Sequence, residues 1–374
     1  MAMLHMQLPP GNHKGMTLIE LMVALAIGSV LLIGLATVFF NSSRTHRELE
    51  KSGEMIENGR YAMNLIFDDL RHAGYYGYFF DLPAAPGALP DPCELADLNA
   101  IAAAMPLPVQ GYKAASATAR PDITTSTCGS GGIDLLVDDN LAPGSDILVL
   151  RRADTDVLTG VAVTDDVYLQ ANGQAYEFTL GSASADVPNT KADGNAATML
   201  KLPSSTTHTE YADTRKYEVH VYFVAPCSTG SGASGVCQAG DKPLPTLKRL
   251  ELSSDGASTQ MSITPLVEGI QYFKVEYGID DFPTATDPVT FSVGDGIPDT
   301  YVTAPTLAQW PNVVSVRVAA LARNVRATDD YRDNATYTLA GTSFGPFGDH
   351  YKRHVFSTEV RLMDAAGRRE IPKL

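Results

Sequence analysis

The chain has 374 residues, and its 28 Lys and Arg against 43 Asp and Glu give a formal net charge of -15. Hydrophobic residues make up 44% and charged residues 19%, a balance too apolar for a chain that is disordered throughout. The excess of carboxylates argues against a general nucleic-acid-binding protein, because phosphate neutralisation requires clustered Lys and Arg. The 31 Gly and 23 Pro predict many turns and favour a loop-rich β structure over a helical bundle.

An uncharged and almost wholly apolar segment lies near the N-terminus. Residues 21–40 read LMVALAIGSVLLIGLATVFF, and as a helix they would rise about 30 Å, the thickness of a bilayer core. A secretory signal peptide is the alternative, but its apolar region is usually about 7–15 residues long and ends at a small-residue cleavage site. This run is longer and no such site follows it, so the segment predicts one membrane-spanning helix.

The residues directly before the apolar run have a distinctive order. Residues 14–20 read KGMTLIE, and this motif with the apolar run closely resembles the class III signal of type IV pilins and type II secretion pseudopilins. The resemblance implies that a membrane peptidase cuts between Gly15 and Met16 and that the new N-terminus, Met16, is then methylated. Met16 stands where Phe is usual. The resemblance also makes Glu20 the fifth residue of the mature chain, the position of an assembly glutamate in that family.

Glu20 has a physical reason to act in assembly. Cleavage would create an α-amino group beside an apolar helix, and the Glu20 carboxylate could offset that charge in its own chain or in a neighbouring subunit. An unpaired charge is expensive in a medium of low dielectric constant, so such pairing would fix the axial register between subunits. The alternative is an interfacial glutamate that faces lipid headgroups.

A second helical pattern follows the apolar segment. Apolar residues recur mostly every seven positions between charged ones, and they are Leu49, Ile56, Met63, Ile66 and Leu70. The pattern predicts an amphipathic helix with one apolar face that lies on a globular domain. Gly53 and Gly59 should each weaken this helix by about 1 kcal/mol relative to Ala.

Residues 58–77, NGRYAMNLIFDDLRHAGYYG, resemble the corresponding stretch of PilW-type minor pilins, and GspJ-type minor pseudopilins share the general layout. The resemblance implies an α+β, pilin-like fold in which a long N-terminal helix packs on an antiparallel β-sheet domain with long loops. The expected parts are a prepilin leader, a transmembrane or filament-core helix, an amphipathic helix and an exported β-rich globular domain. Their predicted bounds are residues 1–15, 16–40, 41–75 and 76–374.

The remainder of the chain carries short β-type runs separated by turn residues. This arrangement predicts an antiparallel sheet rather than βαβ units. The runs are residues 146–150, 217–223, 247–252, 270–277, 313–322 and 354–362. Residues 81–133 and 182–197 are interpreted as inserted loops, and their length indicates that they are functional or mobile.

Four cysteines, Cys93, Cys128, Cys227 and Cys237, follow the predicted membrane helix. An even number on the exported side predicts disulfide bonds. Zinc is the alternative, but no pair has C-x-x-C spacing. Proximity in sequence favours Cys93–Cys128 and Cys227–Cys237, although three pairings are open.

Two motifs suggest enzymes but lack the required context. Residues 341–345 match the G-x-S-x-G nucleophile elbow, yet Pro346 and Gly348 follow, so no helix can begin there. Residues 230–235 match G-x-G-x-x-G but lie inside the expected Cys227–Cys237 loop. We therefore predict no catalytic residues, no bound cofactor and no enzymatic activity.

An acidic stretch is the one candidate metal site. Asp295 and Asp299, with Asp280 and Asp281 upstream, could offer carboxylate oxygens to Ca²⁺. The spacing does not fit an EF-hand, and a solvated turn is the favoured alternative.

The predicted function is that of a structural minor pilin in type IV pilus assembly or initiation. The resemblance implies hetero-oligomers with other major and minor pilins, and contact with the prepilin peptidase/methyltransferase and the inner-membrane assembly platform. It places the chain in the inner membrane by a single pass, with the C-terminal domain in the periplasm, and later in the pilus at the cell surface. The alternatives are a type II secretion minor pseudopilin and, in another class, a membrane-anchored periplasmic enzyme or adhesin.

Overall fold

A computed structural model describes residues 15–370, except 96, 124–127, 130–132, 184–185, 188–191, 196–198, 203–210 and 282–293. The predicted leader, apart from Gly15, lies outside the described residues. The chain divides into two compact units, residues 1–51 and residues 52–374. Helix α1 (Leu18–His72) contributes to both units, so the two helical segments predicted from the sequence are one element.

The second unit contains two short helices and all the described strands. The helices are α2 (Leu98–Ala103) and α3 (Met363–Glu370). The strands are β1 (Val109–Tyr112), β2 (Ile147–Ala153), β3 (Gly160–Val161), β4 (Val167–Ala171), β5 (Tyr176–Leu180), β6 (Asp186–Val187), β7 (Thr214–Ala225), β8 (Thr246–Ser254), β9 (Thr259–Glu268), β10 (Ile270–Ile279), β11 (Thr300–Val302), β12 (Val313–Arg323), β13 (Tyr337–Leu339), β14 (Thr342–Phe344) and β15 (Arg353–Arg361).

A seven-stranded sheet is built around β7. Its order is β1–β2–β7–β4–β5, with β8 also paired to β7 and β9 paired to β8. Every pairing is antiparallel. His220 of β7 lies opposite Leu150 of β2 on one side and opposite Glu251 of β8 on the other.

A four-stranded sheet has the order β11–β10–β12–β15 and is also antiparallel. Strands β13 and β14 form a hairpin, and β3 pairs with β6. The runs predicted from the sequence overlap β2, β7, β8, β10, β12 and β15. The predicted fold class, a long N-terminal apolar helix with an antiparallel β domain, is confirmed.

Within the second unit, one face of α1 packs on a core that both large sheets supply. The buried residues of the helix are Met55, Gly59, Ala62, Met63, Ile66, Asp69 and Leu70. The prediction of one buried apolar face is wrong for two residues, because Leu49 is 64% exposed and Ile56 is 40% exposed. An α-helix rotates by roughly 20° per heptad relative to an exact seven-residue repeat, so residues one and two heptads before Met63 leave the buried face.

Helix α1 approaches strand β15 closely at Gly59. A Cβ atom at this position would overlap the ring of Phe356, whereas no atom lies within 4 Å of a Cβ at Gly53. The two glycines were both expected only to weaken the helix. Gly59 has a further role, since its missing side chain leaves room for the aromatic ring.

A second core lies on the other face of the seven-stranded sheet and includes all four cysteines. Residues 81–133, predicted to be an inserted loop, contribute α2, β1 and part of this core. The prediction of a plain loop is therefore wrong for this stretch. Sequence reasoning missed its elements because both are short, six and four residues. Of residues 182–197, the other predicted loop, the structure describes β6 and a few flanking residues.

Candidate functional site

The segment around Gly15 contains the residues that the sequence singled out for processing. Gly15 and Met16 precede the first helical residue, Leu18, and both are exposed. No atom lies within 4 Å of a Cβ at Gly15, and Met16 is 67% exposed. The Gly15–Met16 peptide bond is thus in non-helical, accessible backbone.

Glu20 forms a capping box with Thr17 at the start of α1. The backbone N–H and the hydroxyl of Thr17 each donate to Glu20 Oε2 at 3.0 Å, and the Glu20 N–H donates to Thr17 Oγ1 at 3.4 Å. This reciprocal arrangement satisfies backbone donors that a helix N-terminus otherwise leaves unpaired. The T-x-x-E spacing of Thr17 and Glu20 is the sequence signal for this cap.

The apolar segment that follows has no covering protein surface. Helix α1 is long and apolar enough to cross a membrane, and none of its most apolar window is buried. The large side chains from Leu18 to Phe40 are 46–78% exposed, Leu18 the most. A continuous apolar surface of this kind requires lipid or other apolar helices around it.

Asp69 joins helix α1 to the seven-stranded sheet through a buried polar cluster. Its Oδ1 accepts from Arg152 Nε of β2 at 3.0 Å. Its Oδ2 lies 2.6 Å from His220 Nδ1 and accepts from the Tyr222 hydroxyl at 2.9 Å, both on β7. Asp69 is 7% exposed, so these contacts satisfy a carboxylate that has almost no access to water.

The surroundings of Asp69 determine its charge. Burial alone would raise its pKa, but His220, Arg152 and the Tyr222 hydroxyl outweigh burial and hold the pKa well below its ordinary value. Burial, and then the Asp69 charge, raise the pKa of Tyr222. Asp69 therefore stays ionised, and the cluster attaches the helix to two strands.

The four cysteines form two disulfide bonds, and none is free. Cys93 is bonded to Cys128 with Cα atoms 5.0 Å apart, and Cys227 to Cys237 with Cα atoms 5.8 Å apart. These are the pairings that sequence proximity favours. All four residues are buried.

The acidic stretch is organised by a cation of the protein itself. Asp280 Oδ2 accepts from Arg369 Nε of α3 at 2.7 Å and from the Gly296 N–H at 2.9 Å. Asp295 Oδ1 accepts from the Ile297 N–H at 2.9 Å, as in a tight turn. Over the part of the chain that the structure describes, no three His, Cys, Asp or Glu residues are grouped to hold a metal. Calcium binding at Asp295 and Asp299 stays a prediction.

The two enzyme-like motifs fall in turns. Ala340 and Gly341 have φ of 46° and 75° and connect β13 to β14, as in the two-residue turns of hairpins. Ser343 therefore lies in a strand and not on a strand-to-helix elbow. The G-x-G-x-x-G motif lies inside the Cys227–Cys237 loop, where it precedes no α-helix.

Two family models match the chain. The model described as Type IV Pilus-assembly protein W matches residues 221–364, and the Prokaryotic N-terminal methylation motif matches residues 11–36. Comparisons with curated proteins and with solved structures gave no match.

The methylation motif covers Gly15, Glu20 and the exposed apolar helix, and together they define a membrane-anchored protein of the prepilin class. The second match begins within β7, at Val221, and extends to the start of α3. The two matches support a PilW-type minor pilin that acts in the assembly of type IV pili. The pilin family suggests a structural role, and a type II secretion pseudopilin is not favoured. A type IV pilus component implies other pilins and a prepilin peptidase as partners.

Proposed function

We propose that this minor pilin is made as a precursor, is cut between Gly15 and Met16 and is methylated at Met16 before it enters the pilus. The accessible, non-helical backbone at Gly15–Met16 supports this step, since a peptidase needs an extended substrate. The capping box begins only one residue later, at Thr17. Cleavage would therefore leave the first turn of α1 intact.

The mature chain would be held in the inner membrane by residues 16–40, with residues 76–374 in the periplasm. Residues 41–72 continue α1 from the apolar segment to the face that packs on the sheets. Two disulfide bonds support an oxidising compartment for the globular part. During assembly the apolar helix would move from lipid into the helical bundle of the filament, which offers the same kind of apolar surroundings.

Glu20 would act in this transfer as the partner of an α-amino group, either its own or that of a neighbouring subunit. Its carboxylate is already held at the first turn of α1 by Thr17. Pairing in surroundings of low dielectric constant is favourable only at close contact, so it fixes the position of one subunit along its neighbour. Initiation of a fibre requires contacts between unlike subunits. We infer other minor and major pilins, the prepilin peptidase/methyltransferase and the inner-membrane assembly platform as partners.

The observation that carries this proposal is the order Gly15, Met16 and Glu20, with Glu20 in the first turn of an uncovered apolar helix. The test is intact mass and N-terminal sequencing of the chain extracted from membranes with detergent. We expect a chain that begins at Met16 and carries one methyl group. A Gly15→Val variant should retain the leader. An uncut wild-type chain, or a cut after Phe40, would contradict the proposal.

A further inference from the structure

Strand β15 forms one edge of the four-stranded sheet. It pairs with β12 on one side, and the described sheet ends there. The strand has nine residues, contains no proline and keeps one unbroken register with β12. An edge strand presents a row of backbone N–H and C=O groups that can pair with another chain. The length and regularity of β15 therefore suit the addition of a further strand.

The other edge strands of the two large sheets are short or interrupted. Strands β1, β5 and β11 have only four, five and three residues. Strand β9 has ten residues, but it contains Pro265 and its pairing with β8 is irregular beside that residue. Short strands, prolines and bulges are features that prevent edge-to-edge association. Among the described edge strands of these two sheets, β15 alone has none of the three.

The hydrogen bonds at the two ends of β15 show which residues face the open edge. The Leu362 N–H donates to the Val314 carbonyl at 2.9 Å, and the Asn324 N–H donates to the Lys352 carbonyl at 3.0 Å. Both bonds continue the register of β12 and β15, and in an antiparallel pair bonded and non-bonded residues alternate. The even-numbered residues of β15 are therefore bonded to β12, and the backbone groups of the odd-numbered residues point to the open edge.

The outward backbone groups have no partner in the part of the chain that the structure describes. No hydrogen bond between described residues uses the backbone N–H or C=O of Val355, Ser357 or Glu359. The side chains of Ser357 and Glu359 are exposed. An extended strand satisfies such a row, because its own N–H and C=O groups have the matching spacing.

A groove adjoins this edge. It has a volume of about 370 Å³ and is lined by β10, β12 and β15 and by the β13–β14 hairpin. Three of its lining residues are those with outward backbone groups, Val355, Ser357 and Glu359. In strand addition, backbone hydrogen bonds give affinity, and pockets for alternate side chains give specificity. The groove is thus placed to receive a side chain of an added strand.

The charges in the groove favour a basic side chain. Lys274 is paired with Asp146 at 2.5 Å, and Arg317 Nε is paired with Glu359 Oε2 at 2.7 Å. The remaining carboxylate of the lining belongs to Glu276, and no cation of the described residues lies within ion-pair distance of it. A Lys or Arg of the added strand would supply the cation that Glu276 lacks.

We propose that β15 accepts an extended strand from another pilin subunit, which pairs with the outward backbone groups and directs a Lys or Arg to Glu276. The inference rests on the proposed role of the chain in pilus assembly, which requires contacts between unlike subunits. It adds the surface that makes such a contact and the kind of segment that binds there.

Hydrogen exchange of the isolated wild-type chain in detergent tests whether the edge is open. The amides of Ser357 and Glu359 should exchange at least about tenfold faster than those of Thr358 and Val360, which are bonded to β12. Equal protection at the four positions would mean that the edge is already covered, and it would overturn the proposal.

Proline at an outward position removes one donor of the edge and none of the bonds to β12. In a strain that lacks the gene, Ser357→Pro should restore at least about tenfold fewer pili than the wild-type gene. Ser357→Ala keeps the N–H and should restore the wild-type number. Intact mass should show that both variants begin at methylated Met16, which separates a lost contact from failed processing.

Wild-type piliation with Ser357→Pro would overturn the proposal. Failure of the wild-type gene to restore pili would instead contradict the role of the chain in assembly.

Photo-cross-linking in piliated cells identifies the occupant even if Ser357→Pro fails to fold. The reactive amino acid p-benzoyl-phenylalanine is placed at Ser357, and peptide mass spectrometry identifies the linked segment after irradiation. We expect a segment of another pilin that contains Lys or Arg. The same amino acid at Ser258, an exposed serine between β8 and β9, is the control and should not give this product.

Glu276→Gln should lower the yield of the cross-linked product at least about threefold, because the basic side chain loses its partner. An unchanged yield with Glu276→Gln would overturn the proposal. A link to a second copy of this chain, or no link in piliated cells, would overturn it as well.

Discussion

Asp69 is the residue whose removal should most disturb the attachment of helix α1 to the sheet. Asp69→Asn removes the negative charge that Arg152 and His220 share, while Arg152 keeps its ion pair with Glu218. Breaking a buried charged cluster costs about 3 kcal/mol. We expect the free energy of unfolding of the β domain at pH 7 to fall by about that amount. Urea unfolding in detergent, followed by near-UV circular dichroism, measures it.

The same residue predicts a pH dependence. The folded-state pKa of Asp69 lies below its ordinary value, so its stabilisation is present above about pH 5 and is lost as the pH falls below about 4. The difference in stability between wild type and Asp69→Asn should therefore shrink in acid. Asp68→Ala, at an exposed neighbouring position, is the control and should change stability by less than about 0.5 kcal/mol. A constant difference down to pH 3 would contradict this account.

The sequence could predict residues whose partners are close along the chain. Thr17 and Glu20 are three positions apart, and T-x-x-E is a known capping pattern. Asp69 and His220 are 151 positions apart, and no sequence pattern in either segment predicts their contact. An acidic residue in the middle of an amphipathic helix is ordinarily read as solvated, and only the tertiary fold places it against β7.

At the level of elements, Gly53 and Gly59 offer a matched pair within α1. Ala at Gly53 meets no other atom within 4 Å, so it should stabilise the chain by about 0.5–1 kcal/mol through helix propensity. Ala at Gly59 overlaps the Phe356 ring, and the displacement should outweigh the same gain and destabilise by about 1–2 kcal/mol. The measurement is urea unfolding of both variants in detergent.

A double variant tests the cause at Gly59. Phe356→Ala removes the ring that the new Cβ meets, so Gly59→Ala should be stabilising when Phe356 is absent. Equal effects of Ala at Gly53 and Gly59 would mean that the close approach of α1 to β15 is not a constraint on this helix.

Alternation of apolar and polar residues was enough to locate the longer strands, but it gave no order for them. The pairing of β7 with β2, β4 and β8 depends on contacts between segments far apart in sequence. Helix α3 was missed because it has only eight residues and two of the last are Arg. Its attachment comes from Arg369, which meets Asp280 across 89 positions.

On the scale of the whole molecule, the parts that could be predicted best are those that carry a recognisable local sequence motif. The N-terminal methylation match ends at residue 36 and the PilW match begins at residue 221. Between them lie strands β1 to β6, α2 and the Cys93–Cys128 bond. This stretch is also where the loop prediction was wrong, because its short elements are ordered by packing on β2 and β7 rather than by their own periodicity.

Pilus assembly is the property of the whole molecule that the Glu20 proposal must explain. Deletion of the gene should remove or sharply reduce surface pili and leave exoprotein release unchanged, and the wild-type gene should restore piliation.

Glu20→Gln and Glu20→Ala separate two roles of the carboxylate. Gln still accepts from the Thr17 N–H as a capping residue but cannot offset an α-amino charge; Ala does neither.

We therefore expect the Glu20→Gln protein to reach the membrane at the wild-type level, as judged by immunoblot. The number of pili should nevertheless be at least about tenfold lower than with the wild-type gene, because an unpaired charge in the bundle costs more than about 1.4 kcal/mol. Glu20→Ala should restore no more, and electron microscopy counts the fibres. Full piliation with Glu20→Gln but not with Glu20→Ala would assign Glu20 to helix capping alone. Loss of exoprotein release in the deletion strain would instead place the chain in secretion.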